Sequence, residues 1–305
     1  MPSTIRRFLV VVCGPTGIGK TRVSIDLARH FGCEIISADS RQFFREMLIG
    51  TAVPDVHQLK EVPHHFIHSH SIHHDYNASM FENEVMTFLS GYFKDHKMVF
   101  MTGGSGLYID AVLNGIDDLP SIDKNLRKKW QKIFEAEGIE YLRNQVKHID
   151  PEYFNEADTN NSKRLLKAIE VFETTGRPYS SFLKKTPRER DFTPIMIGLN
   201  TGREKLYKKI NERVDDMIEK GLTEEARKLY DYRHLTPLNT VGYKELFEHF
   251  EGKSSLEKAV EKIKNHSRAY ARKQLTWFRK YKDLRWFEPE NTQDIITYIE
   301  SIVNI

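Results

Sequence analysis

The chain has 305 residues, of which 39% are hydrophobic and 29% charged, with a formal net charge of +3 and two cysteines. That length supports one large core with an appended unit, and the balance excludes a disordered or fibrous chain. The small net charge excludes polyanion binding by overall basicity, and two cysteines exclude a disulfide framework, so local basic clusters and a reducing cytoplasm are expected.

The first apolar run, Phe8-Leu9-Val10-Val11-Val12-Cys13, follows Arg6-Arg7 but is too short for the apolar segment of a signal peptide. No stretch approaches a membrane span, and no membrane partner is expected. The run reads as a buried strand and opens directly into Gly14-Pro15-Thr16-Gly17-Ile18-Gly19-Lys20-Thr21. Residues 22–31 then have helical periodicity and stop at Gly32. Strand, G-x-x-x-x-G-K-[ST] and helix together make a phosphate-binding loop. Backbone N–H groups and a helix N-terminus would close on phosphate, Lys20 would add a point charge, and the Thr21 hydroxyl could hold Mg²⁺. The loop alone does not say whether a diphosphate or a triphosphate sits there.

Ile35-Ile36 begins a second buried strand, and Asp39 falls just past its carboxyl end, the edge that carries the phosphate loop. A carboxylate there can act as a general base, a metal ligand or the cap of a following helix. Ser40, Arg41 and Gln42 add donors and acceptors suited to a polar ring. Seven histidines between His57 and His74 suggest metal, but no cysteine accompanies them. A solvated loop with one or two structural histidines is the expectation. A helix runs from Tyr76 to about residue 94. The strand Met98-Val99-Phe100-Met101 follows, ending in Thr102-Gly103-Gly104-Ser105-Gly106. Thr102 stands where a Walker-type ATPase carries a Mg²⁺-holding Asp. Residues 107–113 continue as a helix.

From about residue 119 the character becomes all-helical, with helices over 126–136, 139–148 and 162–175 in a run reaching about Lys185. Three segments follow: 1–118, the first part of the core; 119–190, an inserted helical domain; and 191–305, the rest of the core. The expected fold is α/β, a P-loop NTPase-like parallel sheet flanked by helices with an all-helical insertion. In the insertion Arg127, Lys163, Arg164 and Lys167 form either a solvated face or a phosphate grip. Ile195–Leu199 returns to the sheet, and 203–220 is an amphipathic helix whose Arg213 could reach an anionic ligand or pair with Asp216. Another helix spans 222–233, and a further one opens at Thr240. Residues 262–285 contain nine Lys or Arg and one acid. There Arg268, Arg272 and Arg279 fall on one side of a helix, with Tyr270 and Trp277 opposite as core anchors, an electrostatic footprint for nucleic acid or a cationic solvent face.

Together these motifs resemble the bacterial tRNA dimethylallyltransferase family, the tRNA isopentenyltransferases. The resemblance runs from residue 8 to about 287. It is carried by the phosphate loop, Asp39-Ser40, residues 47–54, Pro63-His64-His65 and Gly103-Gly104-Ser105-Gly106-Leu107-Tyr108. Further along it rests on Arg164-Leu165, Arg213-Val214-Asp215, Gly242-Tyr243-Lys244 and Arg272-Lys273-Gln274-Leu275-Thr276-Trp277-Phe278-Arg279. The resemblance implies transfer of a dimethylallyl group from dimethylallyl diphosphate to N6 of the adenosine 3′ of the anticodon. Thr16 to Thr21 would cradle the diphosphate, with Mg²⁺ on Thr21, and Lys20 and Arg213 would stabilise the leaving charge. Asp39 would accept the N6 proton, and Ser40, Arg41 and Gln42 would read the extruded base. Ser105 keeps a hydroxyl where the family usually has Thr. The resemblance also places the tRNA anticodon stem-loop against Arg127, Lys163, Arg164, Leu165, Leu166 and Lys167, and against Asn239, Thr240, Val241, Gly242, Tyr243 and Lys244. A monomeric, cytoplasmic enzyme is expected. The competing readings are a P-loop kinase of a small metabolite using ATP, and a non-catalytic nucleotide-dependent RNA-binding protein.

Overall fold

The computed structural model describes residues 6–117, 119–183 and 188–303; the boundary expected at 118 and the end of the helical run at Lys185 lie outside the described residues. In chain order the elements are β1 (Phe8–Cys13), α1 (Lys20–Phe31), β2 (Ile35–Ser37), α2 (Val56–Glu61), β3 (His64–His65) and α3 (Ala78–Tyr92). Next come β4 (Met98–Gly103), α4 (Gly106–Asn114), α5 (Lys124–Ile149), α6 (Pro151–Glu156) and α7 (Ser162–Thr175). The remainder is β5 (Thr193–Leu199), α8 (Arg203–Glu219), α9 (Leu222–Lys228), α10 (Tyr243–Phe250), α11 (Leu256–Phe278), β6 (Arg285–Phe287) and α12 (Thr292–Val303).

The six strands form one parallel sheet in the order β3-β2-β4-β1-β5-β6. Alternate residues of β1 point to opposite faces: Phe8, Val10 and Val12 enter one core cluster, and Leu9, Val11 and Cys13 enter another. This is why β1 is apolar at every position: both faces are covered by helices. Val23, Ile25, Leu27 and Ala28 of α1, Leu206 and Ile210 of α8 and Ile295, Ile296 and Ile299 of α12 fill the first cluster. Phe81, Val85 and Leu89 of α3, Ile109 and Val112 of α4 and Phe278 of α11 fill the second. Because all strands are parallel, the loops after β1, β2 and β4 share the carboxyl edge, where ligands of open α/β sheets sit.

Two compact units result, one built from the chain up to Asn114 and again from Glu189 onward, the other from Gly115–Arg188. The second has its own core of Trp130, Leu142, Val146, Leu165, Leu166, Ala168 and Ile169. The helices expected over 126–136 and 139–148 are the two halves of α5, broken at Gly138, whose φ of 76° is outside the helical region. Among the described residues no helix is long and apolar enough to cross a membrane.

Several expectations are corrected. The helix expected over 222–233 stops at Lys228 and gives way to a 3₁₀ turn at Tyr230–Tyr232. The histidine stretch is more than a solvated loop: His64 and His65 form the edge strand β3 on β2, and His65 Nε2 lies 2.6 Å from Glu34 Oε2. His70 stacks on Tyr76 with ring centroids 3.8 Å apart. A two-residue strand held by its neighbour carries no periodicity to read. Trp277 packs beside the second core cluster, but Tyr270, the other supposed anchor of α11, is 42% exposed.

Candidate active site

The phosphate loop is the crossover from β1 to α1. Gly17 and Gly19 adopt φ of 77° and 102°, the left-handed region that turns the loop back on itself, and a Cβ on Gly17 would lie 2.9 Å from Ile210 Cγ1. Gly19 caps α1 without a side-chain hydrogen bond, so the first-turn N–H groups are left for an anion. Lys20 Nζ donates to the carbonyls of Gly14 at 3.0 Å and Pro15 at 2.9 Å, which holds the ammonium across the loop with one N–H to spare.

Asp39 sits two residues beyond β2. No helix follows it to be capped; its carboxylate accepts the Arg41 N–H at 3.0 Å in a tight turn, leaving the second oxygen free of protein donors among the described residues. The turn is tied to the end of β4: the Ser40 N–H donates to Ser105 Oγ at 2.9 Å, and Ser105 Oγ lies 3.1 Å from Ser40 Oγ. Thr102 is engaged elsewhere, with its Oγ1 2.9 Å from Ser24 Oγ.

Burial pushes the Lys20 ammonium down to about 8; the neighbouring Arg213 adds to the shift, and Asp39 then Cys13 oppose it. Burial likewise works against the Arg213 charge, while Asp39 and then Asp216 favour it. The sequence left Arg213 between an anionic ligand and Asp216. Asp216 pairs with Lys220 at 2.6 Å, and among the described residues Arg213 has no hydrogen bond or ion pair. Lys20, Arg213 and Asp39 thus form one electrostatic group: two cations whose mutual repulsion a phosphate would relieve, beside one carboxylate.

Tyr270, missed at the sequence level, belongs to this group. The residue is partly exposed, yet burial pushes its hydroxyl up to about 12, with Asp39 adding to the shift and Arg41, Ser105 and Gln274 opposing it. Gln274 was also missed. It is 5% exposed, its Oε1 accepts the Thr16 N–H at 2.8 Å, and its Nε2 donates to the Gly104 carbonyl at 2.9 Å.

The residues expected to meet RNA divide by burial. Ser40 and Arg41 are half-open, but Gln42 is committed within the protein. Its Oε1 accepts from Ser37 Oγ at 3.0 Å, and its Nε2 donates to the carbonyls of Thr51 at 3.3 Å and Ala52 at 3.1 Å, so it fixes the turn instead of presenting a free amide. In the helical unit Lys163, Arg164 and Lys167 line a cavity of about 510 Å³ with Tyr153, Tyr179 and Asn161, while Arg127 pairs with Glu170 at 3.5 Å. The side chains of Leu165 and Leu166 are packed into that unit's core. Asn239 and Lys244 are exposed and Thr240 and Val241 half-buried, but Gly242 and Tyr243 are buried. Tyr243 is fully enclosed, and its hydroxyl donates to Glu225 Oε1 at 2.6 Å. Glu225 also accepts the N–H groups of Leu48, Ile49 and Gly50 at 2.9–3.0 Å, so this tyrosine anchors a loop. On α11, Arg268 bonds Asn211 and Arg272 donates to Tyr207 at 2.9 Å, so two of the three striped arginines help dock α11 on α8.

A phosphate loop, a carboxylate and two cations at the carboxyl edge of a parallel sheet define a P-loop α/β enzyme. Over residues 42–281 the chain matches the family described as IPP transferase, and it belongs to that family. It is 50% identical to the tRNA dimethylallyltransferase of Christiangramia forsetii, across 97% of this chain and 99% of that one. It is 45% identical to tRNA dimethylallyltransferase 1 of Phocaeicola vulgatus, across 99% of each. Among solved structures it resembles the full-length tRNA isopentenylpyrophosphate transferase of Bacillus halodurans, with 32% identity, a TM-score of 0.72 and coverage of 98% and 97% of the two chains. It also resembles a eukaryotic dimethylallyltransferase crystallised acting on tRNA, with 25% identity, a TM-score of 0.83 and coverage of 98% of this chain and 80% of that one.

Proposed function

We propose that the protein transfers the dimethylallyl group from dimethylallyl diphosphate to N6 of the adenosine 3′-adjacent to the anticodon in tRNA, releasing diphosphate, as a cytoplasmic monomer. The observation that carries this reading is the Asp39 carboxylate, bonded among the described residues through one oxygen only, at the same sheet edge as the phosphate loop that Lys20 spans. In the reaction the N6 lone pair forms a bond to C1 of the dimethylallyl group as the C1–O bond breaks. The diphosphate departs with the electron pair, and the N6 proton passes to the free oxygen of Asp39. The loop N–H groups, Lys20 and Arg213 face the charge that builds on the leaving oxygen. The adenine must leave its stack to reach this edge, and Ser40, Arg41 and Tyr270 would border its place.

The site also fits Mg²⁺. Among the described residues no hydrogen bond engages the Thr21 hydroxyl, and no group of three His, Cys, Asp or Glu could form an all-protein cage. Thr21 and the substrate's own phosphate oxygens would hold the ion, which supplies further neutralisation of the diphosphate. Exposed Lys163 and Arg164 of the helical unit, with Asn239 and Lys244 of the core, are proposed contacts for the anticodon stem-loop.

The test is incubation with dimethylallyl diphosphate, Mg²⁺ and unmodified tRNA, followed by digestion and nucleoside analysis. N6-dimethylallyladenosine is expected. Asp39→Ala should lower its rate by at least about 10²-fold, the usual contribution of a positioned base, and Lys20→Ala should abolish it. Full-rate transfer by Asp39→Ala removes the general-base assignment, and ATP turnover without transfer returns the kinase.

A further inference from the structure

The proposed reaction needs the diphosphate loop and the Asp39 turn held at one separation, because an in-line displacement tolerates little misplacement. About 1 Å can cost on the order of 10²-fold. The two loops leave different strands. What joins them is a chain of hydrogen bonds through α11 and the end of β4. The Thr16 N–H donates to Gln274 Oε1 at 2.8 Å, Gln274 Nε2 donates to the Gly104 carbonyl at 2.9 Å, and Ser105 Oγ, one residue on, accepts the Ser40 N–H at 2.9 Å. Ser40 is bonded through the backbone to Asp39.

We propose that Gln274 is the positioning residue of this site, the bolt of a hydrogen-bonded strap that sets the distance between the diphosphate loop and the base-bearing turn. The inference rests on the prenyl-transfer reading given above.

Three observations support it. First, the two partners fix the amide in one orientation, since an N–H must meet the oxygen and a carbonyl must meet the nitrogen. Neither a carboxylate nor an apolar side chain of that size can serve both. Second, the fit is tight on the far side: a Cβ on Gly104 would lie 2.2 Å from Gln274 Nε2, so the turn approaches the amide as closely as a glycine allows. Third, the bond to Thr16 engages an N–H of the phosphate loop, so this donor is not offered to the anion. Gln274 therefore contributes to geometry at the expense of one phosphate donor.

That exchange gives a signature that general loss of structure does not produce. In Gln274→Met the Thr16 N–H loses its partner and the alignment with Asp39 is lost, while the other phosphate donors of the loop stay in place. In steady-state transfer to unmodified tRNA, kcat should fall at least tenfold while KM for dimethylallyl diphosphate changes less than threefold. Gly104→Ala should reproduce the pattern by displacing the amide with Gln274 still in place, and it decides the matter if Gln274→Met does not fold. Combining Gln274→Met with Ser105→Ala, a second cut in the same strap, should cost far less than the product of the two single effects. A kcat within twofold of wild type in either single variant, a loss carried by KM, or full multiplicativity in the pair overturns the strap. A wild-type protein that makes no dimethylallyladenosine overturns the reading of the reaction, and the strap's role with it.

Discussion

Burial disfavours the charge of Lys20, and its titration can be followed. With the ammonium pushed down to about 8 from 10.5, the folded protein holds it less firmly charged than the unfolded chain does. That cost to folding is present below about pH 8 and is relieved as pH rises toward 10.5, because there the unfolded chain binds the extra proton. Diphosphate acts in the opposite sense by restoring the charge. Binding of dimethylallyl diphosphate at pH 8.5 should therefore take up a proton, and affinity should weaken as pH rises through 8. Calorimetry in buffers of different ionisation enthalpy measures the uptake; Lys20→Ala should eliminate it, and no uptake by wild type contradicts the assignment. Lys20 and Asp39 were legible in the sequence because strand ends declare themselves locally. Gln274 was not: its partners lie 258 and 170 residues away, and nothing in a basic helix marks one amide as buried.

At the scale of elements, legibility followed burial. β1 was readable because both of its faces are covered, and α5 was divided correctly because only glycine suits the break at 138. The edge strand β3 was hidden by its length, and Tyr243 by its setting among polar residues that suggest a surface. Its enclosure makes α10 a support for the loop at Leu48 to Gly50, which Glu225 gathers by three N–H groups. Tyr243→Phe removes a hydroxyl bonded to a carboxylate and should cost about 1.5–3 kcal/mol in denaturant unfolding. Its tRNA affinity should stay within twofold of wild type; a tenfold loss would return Tyr243 to the RNA surface.

For the whole molecule, the near-neutral charge of +3 means that RNA affinity depends on where cations stand, not on how many there are. Arg268 and Arg272 are occupied in packing α11, whereas Lys163 and Arg164 are exposed and offer a pair for phosphate. Lys163→Ala with Arg164→Ala should flatten the dependence of tRNA affinity on log salt by about 0.7–0.9 for each phosphate no longer neutralised. An unchanged slope, measured by filter binding or fluorescence anisotropy, removes these two from the interface.

The central place of β1 also shapes how the chain comes to be folded. Phe8 aligns with Met98 on one side and with Thr193 on the other, so the first strand made cannot complete its hydrogen bonding until β5 has been synthesised. At a ribosomal pace of about 5–20 residues per second, that leaves β1 paired on one side only for about five to twenty seconds after β4 is made. The unit Gly115–Arg188 emerges within that interval and can close its own core around Trp130 and Leu165 while the sheet is still open. The nascent chain can thus hold a closed helical unit while its sheet is unfinished, and that open strand edge is where a chaperone has most to protect.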